Sequence, residues 1–158
     1  MALNRKIKKT IQEFVNRWNK PVREKGNTPL FWIDLLRSVY GIEKPETYIE
    51  FEKPVIPTGK KKELGIDGYI AKTKILIEQK SSDINLFQPQ SQSDGSKLTP
   101  YEQACRYAEG LNYSEKPRWI ITSNFKSFHI YMIWIGVEVI LKSSISRIFL
   151  IITRNCYF

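Results

Sequence analysis

The stretches that decide the fold are ILIEQK, residues 75–80, and IDG, residues 66–68. Side chains alternate along a strand with a period of two, so an otherwise apolar strand here carries Glu78 and Lys80 on one face. Suppose that GIDGYI (65–70) and KILIEQK (74–80) pair as an antiparallel hairpin around Lys72 and Thr73. Ile70 then faces Ile75, Tyr69 faces Leu76, and Asp67 lies opposite Glu78. Opposed β-carbons in such a ladder are roughly 4.5 to 5.5 Å apart, and two like charges there destabilise the sheet unless something neutralises them. The turn decides the matter: a three-residue turn would put the two acids on opposite faces, and Lys-Thr is not a favoured hairpin dipeptide.

A divalent cation would neutralise the pair. Two carboxylates with a lysine one step along the same face suit a hard ion such as Mg2+, with Mn2+ as a substitute, and metal-assisted hydrolysis of a phosphodiester. Lys80 partly offsets the acids and can orient or polarise a water. Glu-x-Lys on a strand is also common as a solvated ion pair, so the motif needs its register. TYIEFEKPV (47–55) alternates strictly and reads as a preceding strand with Glu50 and Glu52 on one face. Either could supply a further ligand, and alternation does not choose between them.

The rest of the chain reads as α/β. Ile7, Ile11, Phe14, Val15 and Trp18 recur at helical spacing over residues 4–19. A second helix is expected from Pro29 to Tyr40, capped by Thr28 and stopped by Gly41. Residues 81–99 form a long polar loop, whose length suggests a mobile or ligand-ordered segment. Thr99 and Pro100 open a third helix, PYEQACRYAEGLNY, before the strands PRWIITSN and FHIYMI. His129 lies in the last of these and reads as a strand residue. The order is helix, three strands, helix, strand, with an extra helix in front.

At 158 residues the chain has the size of one domain, and 25 Lys and Arg against 16 Asp and Glu give a net charge of +9. That balance favours a polyanionic partner, and Lys60, Lys61 and Lys62 are candidates for contact with DNA phosphates. Cys105 and Cys156 match no zinc spacing, and His129 is the one histidine, so a metal should be held by oxygen. The N-terminus lacks the apolar core of a secretory signal, and the apolar runs fall short of a membrane span, so a cytoplasmic location is expected.

This ordered series resembles the PD-(D/E)xK nuclease superfamily, and Gln103 to Tyr107 (QACRY) is similar to the QxxxY helix motif of its RecB-like branch. FWIDLLRSVYG, YIEFEKPV, IDGYI, ILIEQKSS, LTPYEQACRY and RWIITSNFKSFHIY look like the N-terminal nuclease region of MmeI-like restriction-modification proteins, over about residues 10–131. Those are single chains that join a nuclease to an adenine DNA methyltransferase. The resemblance implies Asp67 and Glu78 as metal ligands, Lys80 as the catalytic lysine, and Gln103 and Tyr107 as neighbours on the helix face toward the site. It also places an accessory acid at Glu24. Ile66 stands where the superfamily has proline. No glycine-rich S-adenosylmethionine loop and no NPPY-type motif occurs, so methylation is not expected of this chain.

The expected organisation is a nuclease-like domain over residues 1–131 and an atypical tail over 132–158. VILKSSISRIFLIITRNCYF in that tail reads either as a terminal strand or helix or as a truncated or frameshifted end. The function expected is a Mg2+-dependent DNA endonuclease module of a restriction-modification system, the alternative being an inactive truncated fragment.

Overall fold

In the computed structural model, residues 5–134 and 137–143 are described, Trp134 and residues 137–143 by their backbone alone. Helix α1, Arg5–Trp18, forms over the amphipathic stretch and buries Phe14. Helix α2, Thr28–Asp34, runs on through a π-helical turn, Leu35–Val39, and together they fill the second helix expected. The expected Thr28 cap does not form. Asn27 holds the cap position but its side chain donates back to the Arg23 carbonyl instead of capping, while the Thr28 hydroxyl donates to the Glu24 carbonyl at 3.0 Å.

The continuous strand expected over 47–55 is also absent. Pro45–Thr47 make a 3-10 turn, Glu50 alone exchanges backbone hydrogen bonds with Tyr69, and strand β1 is only Lys53–Val55. The physical reason lies at Glu52, whose φ of 50° is in the left-handed region and interrupts the pleat between Glu50 and Lys53. The chain thereby changes partners. Strand β1 pairs with β2, Leu64–Ile66, placing Lys53 opposite Ile66 and Val55 opposite Leu64. GIDGYI likewise breaks at Asp67, so that β2 stays in this small sheet while β3, Gly68–Ile70, enters the main one.

Strand β4 is Ile75–Gln79. In the long polar loop that follows, Gln90–Ser91 and Lys97–Leu98 form a short antiparallel hairpin, β5 and β6. Helix α3, Pro100–Gly110, starts at a capping box: Thr99 Oγ1 accepts from the Glu102 N–H at 3.2 Å, and Glu102 Oε2 accepts from the Thr99 N–H at 2.7 Å. Strands β7 (Trp119–Ser123), β8 (Phe128–Trp134) and β9 (Val137–Ser143) complete a sheet ordered β3-β4-β7-β8-β9. Its neighbours are antiparallel except β4 and β7, which run parallel and are joined through α3. The expectation of a mixed sheet flanked by helices is met. Strand β9 falls in the stretch set apart as a tail; residues 144–158, with the truncated or frameshifted end expected there, lie outside the described residues.

The two faces of the sheet carry separate cores. On one, Ile75, Ile77, Ile121 and Ile130 pack against α1 and α2; on the other, Leu76, Ile120 and Tyr131 pack against Ala104, Tyr107 and Ala108 of α3. Among the described residues no helix is long and apolar enough to cross a membrane. Phe31 of α2 is fully buried, with the rings of Phe14, Trp18 and Phe125 at 5.2, 5.0 and 5.0 Å. Phe31→Ala empties the centre of that aromatic cluster and should destabilise the fold by about 3–5 kcal/mol in urea titration. A loss below about 1 kcal/mol would show that α2 does not rely on this packing.

Candidate functional site

Strands β3 and β4 pair with Ile70 opposite Ile75, Tyr69 opposite Leu76 and Gly68 opposite Ile77. The turn between them is the four residues Ala71 to Lys74, and Lys74 takes the left-handed φ of 55° that closes it. One step beyond the last pair, Asp67 lies beside the end of β4, where its Oδ2 accepts from the Gln79 N–H at 2.7 Å. Glu78 shares its face of β4 with Leu76 and looks toward α3. It is 1% exposed; Oε1 lies 2.5 Å from Lys80 Nζ, and Oε2 is buried with no hydrogen-bond partner. The Lys80 N–H donates to the Ser123 carbonyl at 2.7 Å, which carries the β4–β7 ladder one residue past the strand and fixes where the lysine emerges.

These groups form one electrostatic cluster. Burial pushes the Glu78 carboxyl up to about 7, Lys80 opposes that rise, and Glu24 and Glu52 add to it. Asp67 stands well above the usual carboxylate range, through burial first and then the charge of Glu78, against the pull of the Gln79 N–H. Burial by itself would lower Lys80, but the neighbouring Glu78 outweighs it, and Glu24 and Asp67 also favour the ammonium. Burial raises Glu24 as well, against Lys80 and with Glu52. A cluster in which several acids each hinder the others' ionisation draws in positive charge.

The accessory residues separate into two groups. Glu24 is held to the site because its N–H donates to Ser81 Oγ at 3.0 Å, while Val22 and Ser82 exchange two further bonds at 2.9 Å. Glu52 joins through its kinked backbone. The carboxylate lies against Gly65, where a β-carbon would fall 2.4 Å from Glu52 Oε2 and push it from this position. Glu50 lies apart, 3.1 Å from Lys53 Nζ, which also binds Glu115 at 3.0 Å. On α3, Gln103 Nε2 donates to Tyr107 Oη at 2.8 Å, and burial followed by the charges of Glu78 and Asp67 raises the phenol. Lys60 is paired with Asp94 at 2.6 Å, and Lys61 and Lys62 are exposed in the loop between β1 and β2.

Sequence reasoning missed Gln79. Its side chain points to the face opposite Glu78, fully buried, where Oε1 accepts from Trp32 Nε1 at 2.9 Å and Nε2 donates to the carbonyls of Lys80 and Ser123 at 3.0 and 3.2 Å. Backbone and side chain together thus tie Asp67, Lys80, α2 and β7 to the end of β4. The signal was present in the sequence: a polar residue at the next alternate position after Ile75 and Ile77 needs a buried partner.

The donor set consists of carboxylate oxygens, which suits a hard cation, and the orphaned Glu78 Oε2 is a buried acceptor that such an ion would satisfy. Among the described residues no group of three or more His, Cys, Asp or Glu side chains stands ready-made as a cage. Two carboxylates are nonetheless the protein share expected for an ion that keeps several waters.

Residues 7–145 fit the family model described as MmeI, N-terminal domain. No curated protein and no solved structure matches the chain.

Two consequences are measurable. The folded protein keeps the Glu78 proton up to about 7, whereas an unperturbed carboxyl releases it near 4.5, so the folded state binds more protons between those values. The contribution of Glu78 to stability without metal is therefore fully present below about 4.5 and is lost as pH rises through about 7. Thermal melts should show this decline, and Glu78→Gln should make it shallower, with Asp67 and Glu24 supplying the remainder; an equally steep decline in the variant would place the titration elsewhere. Gln79→Leu keeps the volume but strands the Trp32 N–H and the Lys80 carbonyl, while the Ser123 carbonyl keeps the Lys80 N–H, and should cost roughly 2–4 kcal/mol in urea titration. A neutral result would remove Gln79 from the support of the site.

Proposed function

The chain belongs to the MmeI N-terminal domain family, and on that premise we propose that it is the divalent-metal-dependent DNA endonuclease module of a restriction-modification system, built on a PD-(D/E)xK core. The observation that carries this reading is the fully buried Glu78, with one oxygen on Lys80 and the other unpartnered, beside Asp67. Acids in that state suit the binding of Mg2+ or Mn2+, and the basic balance of the chain suits DNA as the partner.

Asp67 and Glu78 would hold the ion. Its chemistry when bound is to acidify water and to stabilise charge building on the scissile phosphate. Lys80, kept cationic by its acidic neighbours, positions the attacking water and offsets charge on the phosphate. Glu24 and Glu52 border the same space and can receive water-mediated contacts from the ion. Gln103, bonded to Tyr107, orients the α3 side of the site. S-adenosylmethionine has no part in this reading.

Plasmid incubated with the protein and Mg2+ or Mn2+ should be nicked or linearised. Glu78→Ala and Lys80→Ala should each lower the rate by roughly a hundredfold or more while leaving DNA affinity nearly unchanged. Retention of cleavage by Glu78→Ala would contradict the assignment, and salt-sensitive binding without cleavage by the unaltered protein would make it a DNA-binding module instead.

A further inference from the structure

Apart from the acidic cluster, one carboxylate is held by two cations. Asp94 sits in the turn between β5 and β6, and its Oδ2 lies 2.6 Å from Lys60 Nζ and 3.1 Å from Arg106 Nη1. The other oxygen accepts from the Ser96 N–H at 3.0 Å and its hydroxyl at 2.5 Å, and Arg106 Nη2 reaches Ser96 Oγ at 3.1 Å. Lys60 comes from the loop between β1 and β2, and Arg106 from α3, next to Tyr107. Two separate elements therefore aim a cation at a single oxygen.

Arginine and lysine converging on one oxyanion form the donor set that binds a phosphate oxygen. The side chains of Lys60, Arg106 and Asp94 are 39, 24 and 30% exposed, and ion pairs open to water in this way are weak, so a competing anion can displace the carboxylate. Lys61 and Lys62 on the loop of Lys60, and Lys97 on β6 beside the turn of Asp94, are exposed and extend the positive surface. We propose that Lys60 and Arg106 form a docking point for a backbone phosphate of DNA, which Asp94 occupies as an internal stand-in until the phosphate displaces it. The inference rests on the DNA-directed reading above and adds a contact on α3 one residue from Tyr107, which borders the acidic cluster. A strand anchored there is bound by the same helix that lines the site.

The test is fluorescence anisotropy of a labelled DNA duplex in EDTA across a salt series, which removes cleavage from the readout. Asp94→Asn, with Asp94→Ser as a second turn-compatible variant, should bind about threefold to tenfold more tightly. Lys60→Gln and Arg106→Gln should each bind more weakly and lower the salt slope by about 0.9. The control is Glu46→Gln, which changes net charge equally and releases Arg37 from a 3.2 Å surface pair elsewhere. It should change affinity by less than about twofold. The proposal is overturned if Glu46→Gln matches Asp94→Asn, or if both Asp94 variants weaken binding as Lys60→Gln does, which would make Asp94 a brace for the hairpin. Absence of DNA binding by every variant would remove the DNA-directed reading along with this inference.

Discussion

The structure depends on a carboxylate that has no water to turn to. Glu78 is buried at the end of a central strand with a lysine on one oxygen and nothing on the other. Burying an acid is unfavourable unless it is protonated or paired, and here it is only half paired. The surrounding fold can be read as the means of holding that acid in place. Strand β4 is flanked on both sides in the sheet and covered on both faces, and Asp67, Glu24 and Glu52 all add charge of the same sign. A fold selected for stability alone would more readily place an apolar residue at position 78.

The position of the cluster follows from backbone bonds rather than from the charges themselves. Asp67 is fixed by the Gln79 N–H, Lys80 by the Ser123 carbonyl, and Glu24 by Ser81, with Ser82 holding the nearby Val22. Behind them, Gln79 locks the strand end to Trp32 and so to the aromatic core under α2. Groups that repel one another stay together because each is tied to a rigid element. One helix, α3, supplies the opposite wall and carries both Tyr107 and Arg106, so events at the hairpin loop and at the acids share a support.

Much of this was legible in the sequence, for reasons that differ by region. The β3–β4 register followed from an even-numbered turn around Lys72 and Thr73, which sets Ile70 opposite Ile75 and Tyr69 opposite Leu76. Helix α3 was marked by Thr99 and Pro100, and the structure adds Glu102 as the other half of the capping box. The alternation of TYIEFEKPV misled because the break at Glu52 is a backbone φ of 50°, which binary patterning does not encode; hence Glu50 and Glu52, predicted on one face, diverge. The family resemblance drawn from the motifs is matched by the family assignment over residues 7–145. What no local pattern could supply is the long-range pairing of Asp94 with Lys60 and Arg106, which requires three loops and helices to be placed first.

The central claim is that Asp67 and Glu78 share one divalent ion, and anomalous scattering from crystals containing Mn2+ tests it most directly. The account predicts one strong peak about 2.1–2.2 Å from carboxylate oxygens of both residues, close to the distances that Mg2+ takes. A peak held by other acids, or none at the end of β4, would contradict it.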